Sequence, residues 1–171
     1  DFKTAEQLYA KALENNPRNY YALVNTGLAR QNRKDRKSAL EYYYKAIEAD
    51  PHAANAWILA AGLLLDSGET DRALEHYVQA YKLDKKNAQS VAGIAQCLER
   101  KKDFRKALEF YSYALRLEPR NAGLYFNRGT LGLTLKDYAG AVKDLKTAVA
   151  LAPDFKEART KLRQAEALSK K

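Results

Sequence analysis

Bond-making chemistry needs a nucleophile, a base or a metal ligand, and this chain offers few of them. Its 171 residues hold two histidines and one cysteine. His52 stands beside Pro51 in a connector, His76 falls on the exposed side of a helix, and Cys97 lies within another helix with no base implied nearby, so each reads as structural. No ligand pair has metal-site spacing, no glycine-rich loop could cradle a phosphate, and no nucleophile elbow is present. The expectation is a protein that is not an enzyme, with no catalytic residue, no metal and no cofactor. A lone cysteine excludes an internal disulfide and fits a reducing compartment, so a cytoplasmic location is expected.

Binding chemistry has more to work with. Twelve tyrosines and thirty Lys and Arg residues could stack and neutralise a single-stranded nucleic acid. The basic residues do not form one stripe, however. They crowd into two turns, 30–37 and 100–106, separated by an acidic turn at 66–69. Nucleic acid is therefore not expected as a partner, and an acidic protein or peptide is. The turn residues that carry this expectation are Arg100, Lys101, Lys102, Arg105 and Lys106. The formal charge of +9 is uneven along the chain, with 9 basic against 7 acidic residues over 1–53 but 6 against 2 over 156–171. No apolar run approaches the roughly 18 residues of a membrane-spanning helix, and no signal peptide is visible.

These residues are positioned by a repeat. Ala107 and Ala114 have counterparts 34 residues apart along the chain at Ala5 and Ala12, Ala39 and Ala46, Ala73 and Ala80, and Ala141 and Ala148. Tyr111 recurs as Tyr9, Tyr43 and Tyr77, and Pro119 as Pro17, Pro51 and Pro153, with Lys85 out of line. Apolar and small residues inside each segment recur at intervals of three and four, the period of an amphipathic helix, and the prolines stop it. A fixed period in the range of about 20 to 50 residues indicates an array of stacked supersecondary units.

One array is expected over 1–171. Residues 1–19 would carry the second helix of a truncated unit, and 20–53, 54–87, 88–121 and 122–155 four full units. Residues 156–171 would form a polar capping helix. The middle turn of each full unit offers an acid able to cap the next helix. The chain starts at Asp1 without Met, inside a unit, and so reads as an excised piece. Leu8, Tyr9 and Leu13 would then be uncovered, and self-association through that open front is expected.

Numbered 1 to 34, each unit resembles the tetratricopeptide repeat (TPR) family. Position 4 is bulky (Leu23, Trp57, Val91, Tyr125), position 8 small (Gly27, Ala61, Ala95, Gly129), and the alanines fill positions 20 and 27 throughout. Thr26 and Arg128 at position 7, and Arg30 and Gly132 at position 11, depart from the pattern. The resemblance implies an all-α, right-handed superhelical solenoid of helix-turn-helix units, whose first helices line a concave face. Residues implied on that face include Tyr21, Val24, Asn25, Leu28, Asn55, Ile58, Leu59, Leu65, Gln89, Gln96, Phe126, Asn127 and Lys161. Uncharged amides among apolar side chains suit a peptide, because an amide can donate and accept at once. The carboxylate clamp of chaperone-binding members is absent: with Asn127 at its centre the remaining places hold Ala92, Gln96, Glu157 and Lys161, of which only Lys161 has suitable charge. The implied function is a non-catalytic protein-protein interaction module holding a peptide or protein segment in its groove. Alternatives are an assembly scaffold of pilus-biogenesis type, associating through its ends or outer face, and the non-catalytic arm of a larger enzyme.

Overall fold

The computed structural model describes residues 2–170, with side chains from residue 6 onward. The side chain of Ala5, first of the repeated alanines, lies outside the described residues, as does Lys171 of the expected cap. Ten helices and no strand occur among them: α1 (Phe2–Asn15), α2 (Tyr20–Asn32), α3 (Arg36–Ala49), α4 (Ala54–Asp66), α5 (Thr70–Leu83), α6 (Ala88–Arg100), α7 (Phe104–Leu117), α8 (Ala122–Thr134), α9 (Tyr138–Leu151) and α10 (Lys156–Leu168). The chain divides into two compact units, Asp1–Lys85 and Lys86–Lys171.

Both units are built by the same local rules. Asn19, Asn87 and Asn121 accept hydrogen bonds from the N–H groups of Ala22, Ser90 and Leu124, satisfying donors that the first turn of a helix leaves open. Asp35, Asp103 and Asp137 do the same for α3, α7 and α9. Bonding to the Ser38 side chain and then its N–H, and to Lys106, holds the Asp35 and Asp103 carboxyls below the usual range. Glu69, expected to cap α5, makes no cap bond and pairs with Arg72 instead. Its longer side chain reaches past the N–H that an aspartate meets.

Each full unit also closes its first helix in one way. The N–H groups of Asp35, Glu69, Asp103 and Asp137 reach back to the carbonyls of Arg30, Leu64, Leu98 and Gly132 at 2.9 to 3.0 Å, and the residue before each adopts positive φ. This is the Schellman closure, whose left-handed position favours glycine. Gly68 fills it once (φ 84°), but Lys34, Lys102 and Lys136 fill it at φ 62° to 63°. A side chain there costs about 1–2 kcal/mol, partly offset by the extra entropy glycine loses on folding. Lys102→Gly and Lys136→Gly are therefore each expected to raise stability by up to about 1 kcal/mol, read as a higher urea midpoint at unchanged slope. A midpoint that stays put or falls would mean that lysine's attraction to the helix C-terminus outweighs the backbone strain.

In the first unit the core gathers Leu23, Val24, Ala39, Tyr43, Ala46, Ile47, Ala56, Ala60 and Leu63, with Leu13, Leu28, Trp57 and Leu59 packed at its edge. Tyr43 is fully buried and donates to Gln31 at 2.6 Å, and burial pushes its hydroxyl up to about 12. A Cβ at Gly27 would stand 2.5 Å from the Tyr43 ring, which is why position 8 is bare there. The second unit has a cluster of Ala95, Ala107, Tyr111 and Leu131, and another of Ala141, Leu145 and Ala165. There a Cβ at Gly129 would meet Leu145 at 2.9 Å, so the helix propensity lost at that glycine is the condition for α8 to approach α9.

Candidate functional site

The first-helix faces carry the expected binding residues, and the structure sorts them by depth. In the first unit Tyr21 is 76% exposed, with its ring edge-on to Tyr20 at 5.4 Å between centroids. Asn55 is exposed, while Asn25, Leu28 and Leu59 are half-buried, the two leucines resting on the core. In the second unit Gln89 is exposed and Gln96, Asn127 and Lys161 are half-buried. Phe126 is also half-buried, its ring 4.8 Å from that of Phe155.

Three expected groove residues are not available to a ligand. Val24, Ile58 and Leu65 are 6%, 2% and 4% exposed. Val24 adjoins Leu23 within the core cluster, and Ile58 and Leu65 share one helical row with the fully buried Ala61, at spacings of three and four. They pack the fold. His76 also differs from expectation: it is half-buried, 5.3 Å from Trp57 and 5.7 Å from Tyr44 between ring centroids, with Nδ1 2.9 Å from the Arg72 carbonyl. Burial holds its imidazole below the usual value. On α1, Leu8 is 62% exposed, whereas Leu13 is tucked against the first-unit core.

Arg100, Lys101, Lys102, Arg105 and Lys106 of the basic turn are exposed, with Asp103 and Phe104 half-buried between them. Lys106 Nζ lies 2.9 Å from Asp103, which raises the ammonium above its ordinary range, and Arg105 lies 3.9 Å from Glu109. Cys97 is fully buried. Among the described residues no group of three His, Cys, Asp or Glu is placed to hold a metal ion, and no helix is long and apolar enough to cross a membrane.

Sequence reasoning missed one polar cluster. Arg128 on α8 donates from Nε and Nη2 to the Asp144 carboxylate of α9 at 2.7 and 2.8 Å, and from Nη1 to Ser112 Oγ of α7 at 3.1 Å. The pair lines, with Leu108, Gly132 and Gly140, a cleft of about 240 Å³. A signal was there: position 7 is Ala60 and Ile94 in the middle units, position 23 is Tyr42, His76 and Phe110, and only the last unit places opposite charges at both.

Comparison with known families agrees with this architecture. Tetratricopeptide repeat models match residues 1–54, 33–76, 64–122 and 94–169. The chain belongs to the tetratricopeptide repeat family. Its fold is the all-α superhelical solenoid of TPR proteins, generally a non-catalytic scaffold for protein interaction. A crystal structure of MamA is similar with a TM-score of 0.76 and 22% identity, over 88% of each chain. YrrB, described as a TPR protein with an unusual peptide-binding site, is similar with a TM-score of 0.73 and 20% identity, over 93% of this chain and 82% of that one. No curated protein sequence is similar enough to match.

Proposed function

We propose that this TPR chain binds peptides or protein segments on its first-helix faces, one in each unit. The observation that carries this reading is charge depletion. At positions 2, 5, 6 and 9 of α2, α4, α6 and α8 the twelve residues that are not buried include no Lys, Arg, Asp or Glu, in a chain that is 30% charged, and charge returns only at the turn end of the face with Asp66, Glu99 and Arg100. A face kept merely soluble would share the chain's charge; a face that buries a peptide backbone gains from neutral amides and half-open apolar groups. The basic turn at 100–106 would steer acidic segments toward the second unit.

Leu59→Ala reports on the first unit and Phe126→Ala on the second. Burial of side chains this size against a ligand is worth about 1.5–3 kcal/mol, so affinity for peptides selected from an array should drop roughly ten- to a hundredfold. Because both residues also pack on the fold, Asn25→Ala and Asn127→Ala supply the cleaner measurement, with an expected loss of about 0.5–1.5 kcal/mol. Lys82→Ala, on the exposed side of α5, is the control. Retained affinity in all four face variants, each folded by circular dichroism, would defeat the reading.

A further inference from the structure

The outer face of α10 is unlike the same face of any other first helix. Position 8 elsewhere is glycine or alanine because the unit's own second helix lies against it, as the contacts a Cβ would make at Gly27 and Gly129 demonstrate. On α10 that position is Arg163, and position 4, elsewhere bulky and apolar or aromatic, is Arg159. With Lys156 they recur at spacings of three and four and so share one side of the helix, about 10 Å long. All three are exposed, while Ala158, Leu162 and Ala165 make the contact with the rest of the unit. None of the three cations forms an ion pair among the described residues.

Glu166, three residues beyond Arg163 in the same row, is engaged by Lys146 at 3.5 Å, which leaves the exposed stripe itself positive. Solvation alone does not account for such a stripe, because mixed charges keep a surface soluble equally well. The wider charge distribution has the same bias. Residues 1–85 carry twelve basic and twelve acidic side chains, and residues 86–171 carry eighteen and nine, so the entire net charge of +9 belongs to the second unit.

We propose that Lys156, Arg159 and Arg163 form a second docking surface, separate from the first-helix groove positions, for an acidic helical segment of a partner protein. Positions 4 and 8 of a first helix are where a TPR unit lays a helix, and guanidinium groups there replace apolar packing with fork-shaped donors matched to carboxylates. A lipid surface fits less well, since on that side of the helix the exposed residues beside the cations are Thr160 and, beyond Arg163, Ala167, with nothing large and apolar to insert. A single-stranded nucleic acid would want an aromatic platform, and the stripe has none.

The probe is a fluorescein-labelled Ala-rich peptide with Glu at every third or fourth position along one helical face, beside a scrambled peptide of the same composition. Anisotropy titrations compare the unsubstituted chain with Lys156→Gln/Arg159→Gln/Arg163→Gln, whose fold is checked by circular dichroism. The face-matched peptide should bind at least about fivefold more weakly to the triple variant, and the scrambled peptide at least about fivefold more weakly to the unsubstituted chain. A smaller difference in either comparison overturns the proposal. So does tighter binding to phosphatidylserine vesicles or to a single-stranded oligonucleotide than to the face-matched peptide.

Discussion

Tyr111→Ala should lower the unfolding free energy of the second unit by about 3–5 kcal/mol, the range for deleting a large aromatic from a closed core. The ring is 1% exposed and lies among Ala95, Ala107, Leu131, Leu98, Phe104 and Phe110. Its hydroxyl donates to Glu99 at 2.8 Å, and burial first, then the nearby carboxylate, keeps the phenol protonated far above its ordinary range. Tyr111→Phe separates the two contributions. It keeps the ring and loses a hydrogen bond to a charged, half-buried acceptor, for an expected cost of about 1–2 kcal/mol. Urea unfolding followed by circular dichroism measures both; an alanine variant within about 1 kcal/mol of the unsubstituted chain would mean that the ring does not close this core.

Arg128→Ala should cost about 3 kcal/mol, near the lower end for breaking a buried ion pair, because the arginine keeps a quarter of its side chain in solvent. The loss comes from Asp144, 9% exposed at its side chain and left without its bidentate partner. The double variant Arg128→Met/Asp144→Leu removes both charges and gives both positions the apolar character they have in 88–121, where they are Ile94 and Phe110. It should be near neutral in stability or gain slightly. If the double variant is as unstable as Arg128→Ala, the pair is holding geometry that apolar packing cannot replace, and the cleft beside it should change shape with it.

Much of this fold is legible in the sequence because a repeat states its own register several times. The helices starting at Tyr20, Ala54, Ala88 and Ala122 do so at the 34-residue boundaries, and three of the four middle turns use their acid as the cap. Depth on a face was less legible. Position numbers assign Ile58 and Leu59 to the same groove, yet one residue is about 100° of helix rotation, enough to separate a buried side chain from a half-open one. The Arg128 and Asp144 pair was hidden for another reason: its members sit on different helices, and each alone reads as an ordinary surface charge. Likewise nothing in a lysine announces positive φ, since the turn is set by the carbonyls around it.

Because all of the net charge lies in residues 86–171, the two halves will behave differently at a negatively charged solid. On a carboxylated dextran sensor or a silica wall at low salt, the chain should adsorb by its second half and leave the neutral first half facing the liquid. A binding experiment on such a support would then sample the proposed face around Tyr21 and Asn25 and under-report the proposed face around Phe126 and Asn127. Working at about 0.15 M salt, where electrostatic reach shrinks to about 8 Å, or anchoring the chain by a tag, would return both halves to the measurement.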